Sequence, residues 1–393
     1  MNRIILGIEK LLRDKRWNSR IRGKRVGLVA HPASTTSDFR HALDVLLEVG
    51  ARVEVLFGPE HGFGGEAQDM EPVDGAAVGP RGLPLYSLYG ADEESLAPPE
   101  DKLAGLDVLI VDLFDVGARY YTFVWTAVLC LRICHRAGVE LVLTDRPNPL
   151  GGELVEGALQ DDGYFSFVGL FPVSNRHGLT VGEIVSLVAG KEGIEESLTV
   201  IPMDGWERSM LFGETGLPWI MPSPNMPTFD TALVYPGMCL IEGIWASEGR
   251  GTTRPFELVG APGIDGVSLA SRLEQMGLPG VCFRPASFKP GFQKHAHEIC
   301  GGVQLHVIEP RTFLPYRTGI AVLLAMKAEA GERFEWREQP YEFVTDRPAI
   351  DLLTGSSAVR HALESEASIG DIAAGWTDGE EAFRSARREH FLY

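Results

Sequence analysis

The first two hundred residues alternate short apolar runs with helical patterns, and this alternation restricts the fold more than any other feature. Each apolar run ends in polar, turn-forming residues. The runs occupy residues 25–30, 53–57, 106–111 and 139–143. Continuous apolar strands separated by helices are typical of a parallel sheet covered on both faces. The sequence therefore predicts an α/β fold with a mostly parallel sheet.

Helical spacing appears between and after these runs. Apolar residues recur every three to four positions from Phe39 to Leu47, and residues 120–136 form a longer apolar helix candidate that ends before Gly138. Residues 179–189 read as a further helix and 198–203 as a short strand. The carboxyl ends of the parallel strands should converge on one crevice, where ligands bind in open α/β sheets.

A proline-rich segment separates two parts of the chain. Five prolines fall between residues 218 and 236, where they are expected to stop any helix and to form a rigid crossing. We predict two domains, 1–230 and 231–393. The second has an alternating run at 302–308 and a helical stretch at 319–330, which indicate a smaller α/β or α+β domain.

Charge and cysteine content limit the partners and the compartment. The net charge of −18 argues against binding to nucleic acid or an anionic membrane, and an anionic small molecule would need a local arginine cluster. No apolar run reaches the length of a membrane span, and the amino terminus lacks an export signal pattern. Five cysteines without a C-x-x-C pair fit a reducing compartment, so we predict a cytoplasmic protein of unassigned oligomeric state.

Residues 58–63 (GPEHGF) place an acid and a histidine side by side between turn residues, directly after an apolar run. Glu60 is thereby held at the carboxyl end of a strand with His61 beside it. Such an enclosed setting can orient a carboxyl group for acid catalysis. The alternative reading is a carboxylate that caps the following turn.

Other acids and arginines occupy comparable positions. Asp112, Asp115 and Asp145 end neighbouring strands, although Asp145 could simply pair with Arg146. Residues 247–256 (SEGRGTTRPF) form a glycine-containing loop in which arginines could bind a carboxylate in bidentate fashion. The alternative for this loop is a solvated connection between domains.

Other kinds of site are disfavoured. Residues 62–67 match the G-x-G-x-x-A dinucleotide pattern, but no apolar-faced helix follows. Residues 245–249 lack the first glycine of a nucleophile elbow. His295, His297 and His306 could share a strand face, but no nearby acid or cysteine completes a familiar metal site. We therefore predict no metal or organic cofactor.

Several segments resemble the family known as DUF1343, which is associated with exo-β-N-acetylmuramidases of the NamZ type. The likeness runs from about residue 25 to Tyr393. The matching segments are 58–63, 112–122 (DLFDVGARYYT), 145–152 (DRPNPLGG), 222–228 (PSPNMPT), 235–237 (YPG) and 247–256.

The resemblance implies a Rossmann-like amino-terminal domain, a smaller carboxy-terminal domain that closes an active-site cleft, and a small carbohydrate substrate. The reaction it implies is release of N-acetylmuramic acid from the non-reducing end of peptidoglycan fragments, in cell-wall turnover and recycling. The candidate substrate-binding residues are Arg119, Tyr120, Asp145, Arg146, Asn148, Asn225, Arg250, Thr252 and Arg254.

On this basis Glu60 is the candidate general acid, oriented by His61. Glu248, Asp112 and Asp115 remain alternatives for a second carboxyl role. Carboxyl groups about 5 Å apart would indicate retention and about 6.5–9.5 Å inversion, and the substrate N-acetyl group could instead act as nucleophile.

Two further points stay open at this level. A lactyl-carboxylate site would be drawn from five arginines: Arg119, Arg146, Arg176, Arg250 and Arg254. The rival function is a non-catalytic sugar or muropeptide sensor. A sensor would need arginines and aromatic residues such as Tyr120, Tyr121 and Trp125, but it would not need Glu60.

Overall fold

A computed structural model describes residues 4–68, 70–73 and 76–393. Within them the larger sheet has seven strands in the order β3-β4-β2-β1-β5-β6-β7, and all neighbours are parallel except the antiparallel pair β3–β4. The bounds are β1 Arg25–Ala30, β2 Arg52–Gly58, β3 Ala76–Val78, β4 Pro84–Ser87, β5 Val108–Asp112, β6 Glu140–Thr144 and β7 Leu198–Ile201.

Helices cover both faces of this sheet because its strands carry apolar side chains in both directions. In β1, Leu28 packs into the core beneath one helical layer, whereas Val29 packs into the core on the other side. The first layer contains α1 Gly7–Arg13, α2 Lys15–Ile21 and α3 Ala42–Val49. The second contains α5 Phe123–Ala137 and α6 Val181–Glu192, and α4 Glu100–Leu103 contributes Leu103 to it.

The second part of the chain is built on a small antiparallel sheet. Its described strands follow the order β8-β10-β9, with β8 Leu258–Ala261, β9 Val281–Phe288 and β10 Cys300–Val307. The helices are α7 Phe229–Met238, α8 Gly266–Gln275, α9 Pro315–Ala330, α10 Ala349–Thr354, α11 Ala358–Glu364, α12 Ile369–Ala374 and α13 Thr377–Ala386. The predicted α/β class with a second, smaller domain is confirmed, and the boundary at residue 230 stays a prediction.

Helices α7 and α9 pack in close contact in the second part of the chain. A Cβ atom added to Gly237 would lie 1.9 Å from the carbonyl oxygen of Pro315, and one added to Gly319 would lie 2.2 Å from that of Gly237. Only glycine permits this approach of the two backbones. It positions Tyr235 and the one-turn 3₁₀ helix Cys239–Gly243 beside the first part of the chain.

Some predicted element limits were wrong. Pro236 lies inside α7, although the prolines were expected to stop any helix. A proline near the end of a helix removes one backbone hydrogen bond, and α7 ends two residues later at Met238. Phe39 is exposed and has a φ of 68°, so α3 begins only at Ala42. No helix in the described ranges is both long and apolar enough to pass through a bilayer.

Candidate active site

The turn after β2 places Glu60 at the carboxyl end of the larger sheet. Gly58 is required there, because an added Cβ atom would lie 2.3 Å from the backbone nitrogen of Phe63. The chain then reverses through His61 and Gly62, which have φ values of 70° and 80°. Glu60 is 5% exposed, and its Oε2 accepts a hydrogen bond of 2.5 Å from the hydroxyl of Thr122, just before α5.

His61 is a buried imidazole beside this carboxyl group. Its Nδ1 lies 2.9 Å from the carbonyl oxygen of Ala67, so Nδ1 carries the proton and donates it. Burial lowers the pKa of His61 below its usual value, although the charge of Glu60 acts in the opposite direction. The ring is therefore neutral near pH 7.

A cavity lies where the two parts of the chain meet. Both parts contribute polar side chains to it. The lining residues are Glu60, His61, Tyr120, Tyr121, Thr122, Val168, Ser223, Asn225, Met226, Tyr235, Glu242, Arg250, Phe256, Tyr341 and Glu342.

Five of the predicted site residues line this cavity: Glu60, His61, Tyr120, Asn225 and Arg250. The hydroxyl of Tyr120 bonds to the carbonyl of Pro236, so its ring forms a wall between the two parts. Asn225 donates a hydrogen bond of 2.9 Å to the side chain of Gln68. Sequence reasoning did not identify the carboxyl groups of Glu242 and Glu342 or the phenol of Tyr341.

Arg250 is the centre of a buried charge network at the cavity wall. Its Nη2 donates a hydrogen bond of 2.7 Å to Glu242, and its Nε lies 3.4 Å from a carboxylate oxygen of Glu248. The guanidinium also stacks over the ring of Phe256 at 4.9 Å. Burial alone would raise the pKa of Glu242, but the charge and hydrogen bond of Arg250 lower it, so Glu242 is an anion.

Glu248 belongs to the same network but does not line the cavity. Its Oε2 accepts a hydrogen bond of 3.0 Å from the ammonium of Lys294, and its Oε1 faces Arg250. Lys294 is also bonded to the carbonyl oxygens of Ile241 and Ala246. Both oxygens of Glu248 thus lie against cations.

A tight turn at residues 341–344 brings two more polar groups to the cavity. The hydroxyl of Tyr341 donates a hydrogen bond of 2.7 Å to Glu242. Glu342 is 3% exposed, and its Oε2 accepts a hydrogen bond of 3.1 Å from the hydroxyl of Tyr89.

Asp115 is buried close to the cavity without lining it. Burial raises the pKa of its carboxyl group to about 7, although the backbone N–H of Gly117 donates to it at 2.6 Å. The nearest imidazole nitrogen, Nε2 of His177, is 3.8 Å away, and burial lowers the pKa of His177 to about 3. Asp115 and His177 are therefore an uncharged pair near pH 5.

The remaining acids from the strand ends have internal partners. Asp112 forms a bidentate ion pair with Arg146, at 2.7 and 2.8 Å. Asp145 accepts hydrogen bonds from the hydroxyls of Thr180 and Tyr393 and from the backbone N–H of Gly182. Arg146 pairs with Asp112, so the alternative in which Asp145 pairs with Arg146 is wrong.

The other predicted binding residues lie outside the cavity lining. Buried Arg119 donates to three backbone carbonyls, and Asn148 holds the turn that follows β6. The hydroxyl of Thr252 bonds to the carbonyl of Gly249, and half-exposed Arg254 pairs with Glu257 at 3.1 Å. The structure does not bring these four residues together with Glu60.

Metal-ligating residues do not cluster in the part of the chain that the structure describes: no group of three or more histidines, cysteines and acids is placed to hold an ion. His295, the first of the three candidate histidines, instead contacts the carbonyl oxygen of Trp245 through Nε2 at 3.0 Å.

Comparison with known proteins covers almost the whole chain. Models for the amino- and carboxy-terminal parts of the exo-β-N-acetylmuramidase NamZ match residues 26–230 and 233–393. Peptidoglycan β-N-acetylmuramidase NamZ of Bacillus subtilis (strain 168) is 38% identical over 388 residues, which are 98% of this chain and 91% of that protein.

Two crystal structures of DUF1343 family proteins from Bacteroides fragilis share the fold. One is 31% identical with a TM-score of 0.88 and covers 100% of both chains. The other is 28% identical with a TM-score of 0.76 and covers 99% of both chains.

Proposed function

The chain belongs to the NamZ family of exo-β-N-acetylmuramidases, and we propose that it releases N-acetylmuramic acid from the non-reducing end of peptidoglycan fragments, in cell-wall turnover and recycling. It is a glycosidase. One observation carries the assignment: buried Glu60, held by Thr122, lies in a cavity that also contains Arg250 and two further carboxyl groups. Most glycosidases use a pair of carboxyl groups that flank the glycosidic bond of the bound sugar.

Glu60 acts as the general acid. Its proton passes to the glycosidic oxygen while the bond from that oxygen to C1 of the muramic acid breaks. The hydroxyl of Thr122 fixes Oε2, and therefore the plane of the carboxyl group, before substrate binds. Neutral His61 adds no second positive charge to the site, and its bond to Ala67 holds the turn that carries Glu60.

Arg250 binds the lactyl carboxylate that distinguishes N-acetylmuramic acid from N-acetylglucosamine. It is the one member of the predicted arginine pool among the described residues that line the cavity. A guanidinium matches a carboxylate through two parallel hydrogen bonds, and a site enclosed by protein strengthens that attraction. Glu242, Glu248 and Lys294 would fix the plane of the guanidinium.

The assignment is tested with chromogenic β-N-acetylmuraminide and β-N-acetylglucosaminide. We expect turnover of the muraminide. For Glu60→Gln we expect kcat to fall about 10²–10⁴-fold on a disaccharide with N-acetylmuramic acid at its non-reducing end, because a sugar leaving group needs the proton of Glu60, and to fall less on the chromogenic aryl glycoside. The matched control is Glu54→Gln, which alters an exposed glutamate on the same strand and should leave kcat unchanged. A parent protein that binds the sugar without turning over either substrate would favour the sensor.

Substrate choice tests Arg250 separately. Arg250→Lys should raise KM for the muraminide about tenfold or more, because a bidentate contact becomes a single one, and should leave KM for a glucosaminide nearly unchanged. Arg254→Lys, in the same loop but half exposed, is the control. Equal changes in KM for both substrates would show that Arg250 does not bind the lactyl carboxylate.

We propose a cytoplasmic location for this reaction. All five cysteines in the described residues are free thiols, and four of them are buried, which suits a reducing compartment. Cell fractionation tests the proposal: activity recovered in the envelope fraction or the medium, with little in the cytoplasm, would contradict it.

The division into domains 1–230 and 231–393, with the second closing the cleft, is also part of the proposal. The lining of the cavity by both parts supports it. Limited proteolysis that first cuts within residues 218–228 and leaves two stable fragments would agree. First cuts confined to other segments would argue against it.

A further inference from the structure

The turn at residues 341–344 has a backbone that its sequence does not favour. Tyr341 and Val344 exchange backbone hydrogen bonds of 3.0 and 2.9 Å, which defines a two-residue hairpin. Its central residues, Glu342 and Phe343, have φ values of 47° and 68°. Two positive φ values define a type I′ turn, which prefers Asn-Gly because bulky L-residues seldom adopt this conformation.

Side-chain contacts hold the turn in place. The ring of Phe343 packs edge-to-face on Tyr89, with centroids 5.6 Å apart. The hydroxyl of Tyr89 bonds to Glu342, and that of Tyr341 bonds to Glu242. Unfavourable backbone conformations persist where the surroundings over-determine them, and they concentrate at active sites. Here the turn places Glu342 in the lining of the cavity that also contains Glu60.

The other acids have different assignments in the structure. Asp112 is paired with Arg146, and Glu248 lies between Lys294 and Arg250. Asp115 is outside the cavity lining. Glu242 does line the cavity, but its charge is matched by Arg250. The turn therefore makes Glu342 the leading partner for Glu60.

We propose that Glu342 is the catalytic base of the reaction, an inference that rests on the proposed muramidase function. Glu342 takes a proton from water as the water oxygen bonds to C1. The bond from C1 to the glycosidic oxygen breaks in the same step, and that oxygen receives the proton of Glu60. The products are the α-anomer of N-acetylmuramic acid and a free hydroxyl on the leaving sugar. Proton exchange with solvent then restores both glutamates.

Asparagine at position 342 separates this role from a structural one. Asn adopts positive φ more readily than Glu, which offsets the loss of the bond from Tyr89, so Glu342→Asn should keep a melting temperature close to that of the parent. It cannot accept the proton of water, and we expect kcat on nitrophenyl β-N-acetylmuraminide to fall at least about 100-fold. Glu342→Gln, nearly isosteric, is the second variant. Glu338→Gln, an exposed glutamate four residues earlier, is the matched control.

Azide and product stereochemistry complete the test. Azide needs no deprotonation, so it should restore turnover in Glu342→Ala and give the α-glycosyl azide. NMR of the parent reaction should show the α-anomer first. A β-anomer first, a β-azide, or variants with kcat within tenfold of the parent would overturn the assignment of Glu342. A parent inactive on the muraminide would instead refute the proposed function.

Discussion

Acidic residues lie at the carboxyl ends of three strands of the larger sheet. Those at the ends of β5 and β6 are enclosed by protein donors, whereas the one after β2 lines a cavity. Asp112 and Asp145 are fully buried, and both oxygens of each have protein partners. Glu60 is held through Oε2 by Thr122 and lines the cavity. A strand end thus supplies a position for an acid, and the surrounding donors decide whether that acid is enclosed by protein or lines the cavity.

Asp112→Asn provides the largest test of this contrast. It leaves the guanidinium of Arg146 buried without its counter-ion, so the free energy of unfolding should fall by about 3–5 kcal/mol. Glu60→Gln keeps an acceptor for the hydroxyl of Thr122 and should cost about 1 kcal/mol or less. Urea denaturation followed by circular dichroism measures both. Similar losses of unfolding free energy for the two variants would mean that Glu60 also has a structural role.

Asp145 adds a pH dependence that separates scaffold from site. Burial outweighs its hydrogen-bond donors and raises its pKa from 3.8 to about 6. As pH rises from about 4 to 6 the unfolded chain loses this proton first, so the contribution of Asp145 to stability is present below pH 4 and is lost as pH passes 6. A shift of about two units corresponds to roughly 3 kcal/mol.

Asp145→Asn removes that titration. Subtracting the unfolding free energy of the variant from that of the parent cancels the other titrating groups. The difference should therefore shrink by up to roughly 3 kcal/mol between pH 4 and pH 6. A difference that stays constant or grows over this range would show that Asp145 is ionised in the fold at pH 4.

Local sequence predicted β1, β2, β5, β6, β7 and β10 and the position of Glu60, because a strand and its terminal turn are specified within about ten residues. It did not predict β3, β4, β8 or β9. It singled out Glu60 but could not show that Asp112 and Asp145 are enclosed by protein donors. Their donors, such as Arg146 and Tyr393, come from distant segments. The same limit applied to Arg119, whose three carbonyl partners include that of Leu353, 234 residues away.

The sequence did not identify Glu242 and Glu342, for a different reason. Glu242 lies on a one-turn 3₁₀ helix, and Glu342 lies in a turn without the glycine or asparagine that normally marks a hairpin. Neither segment has a periodic apolar pattern. Their places in the cavity depend on tertiary packing, including the glycine contact between α7 and α9. A motif search for turn residues would pass over both.

Tyr393→Phe makes the smallest and most selective change to the scaffold. Its hydroxyl donates to Asp145 at 2.8 Å and accepts from the backbone N–H of Met203 at 2.8 Å, while its ring packs against Trp206. Removing the hydroxyl keeps the ring contact, so the free energy of unfolding should fall by about 1 kcal/mol. Because both oxygens of Asp145 are bonded to protein donors, we expect kcat and KM to equal those of the parent. A fall in kcat without a loss of stability would show that Asp145 contributes to the reaction. The contrast between the enclosed acids and Glu60 would then be wrong.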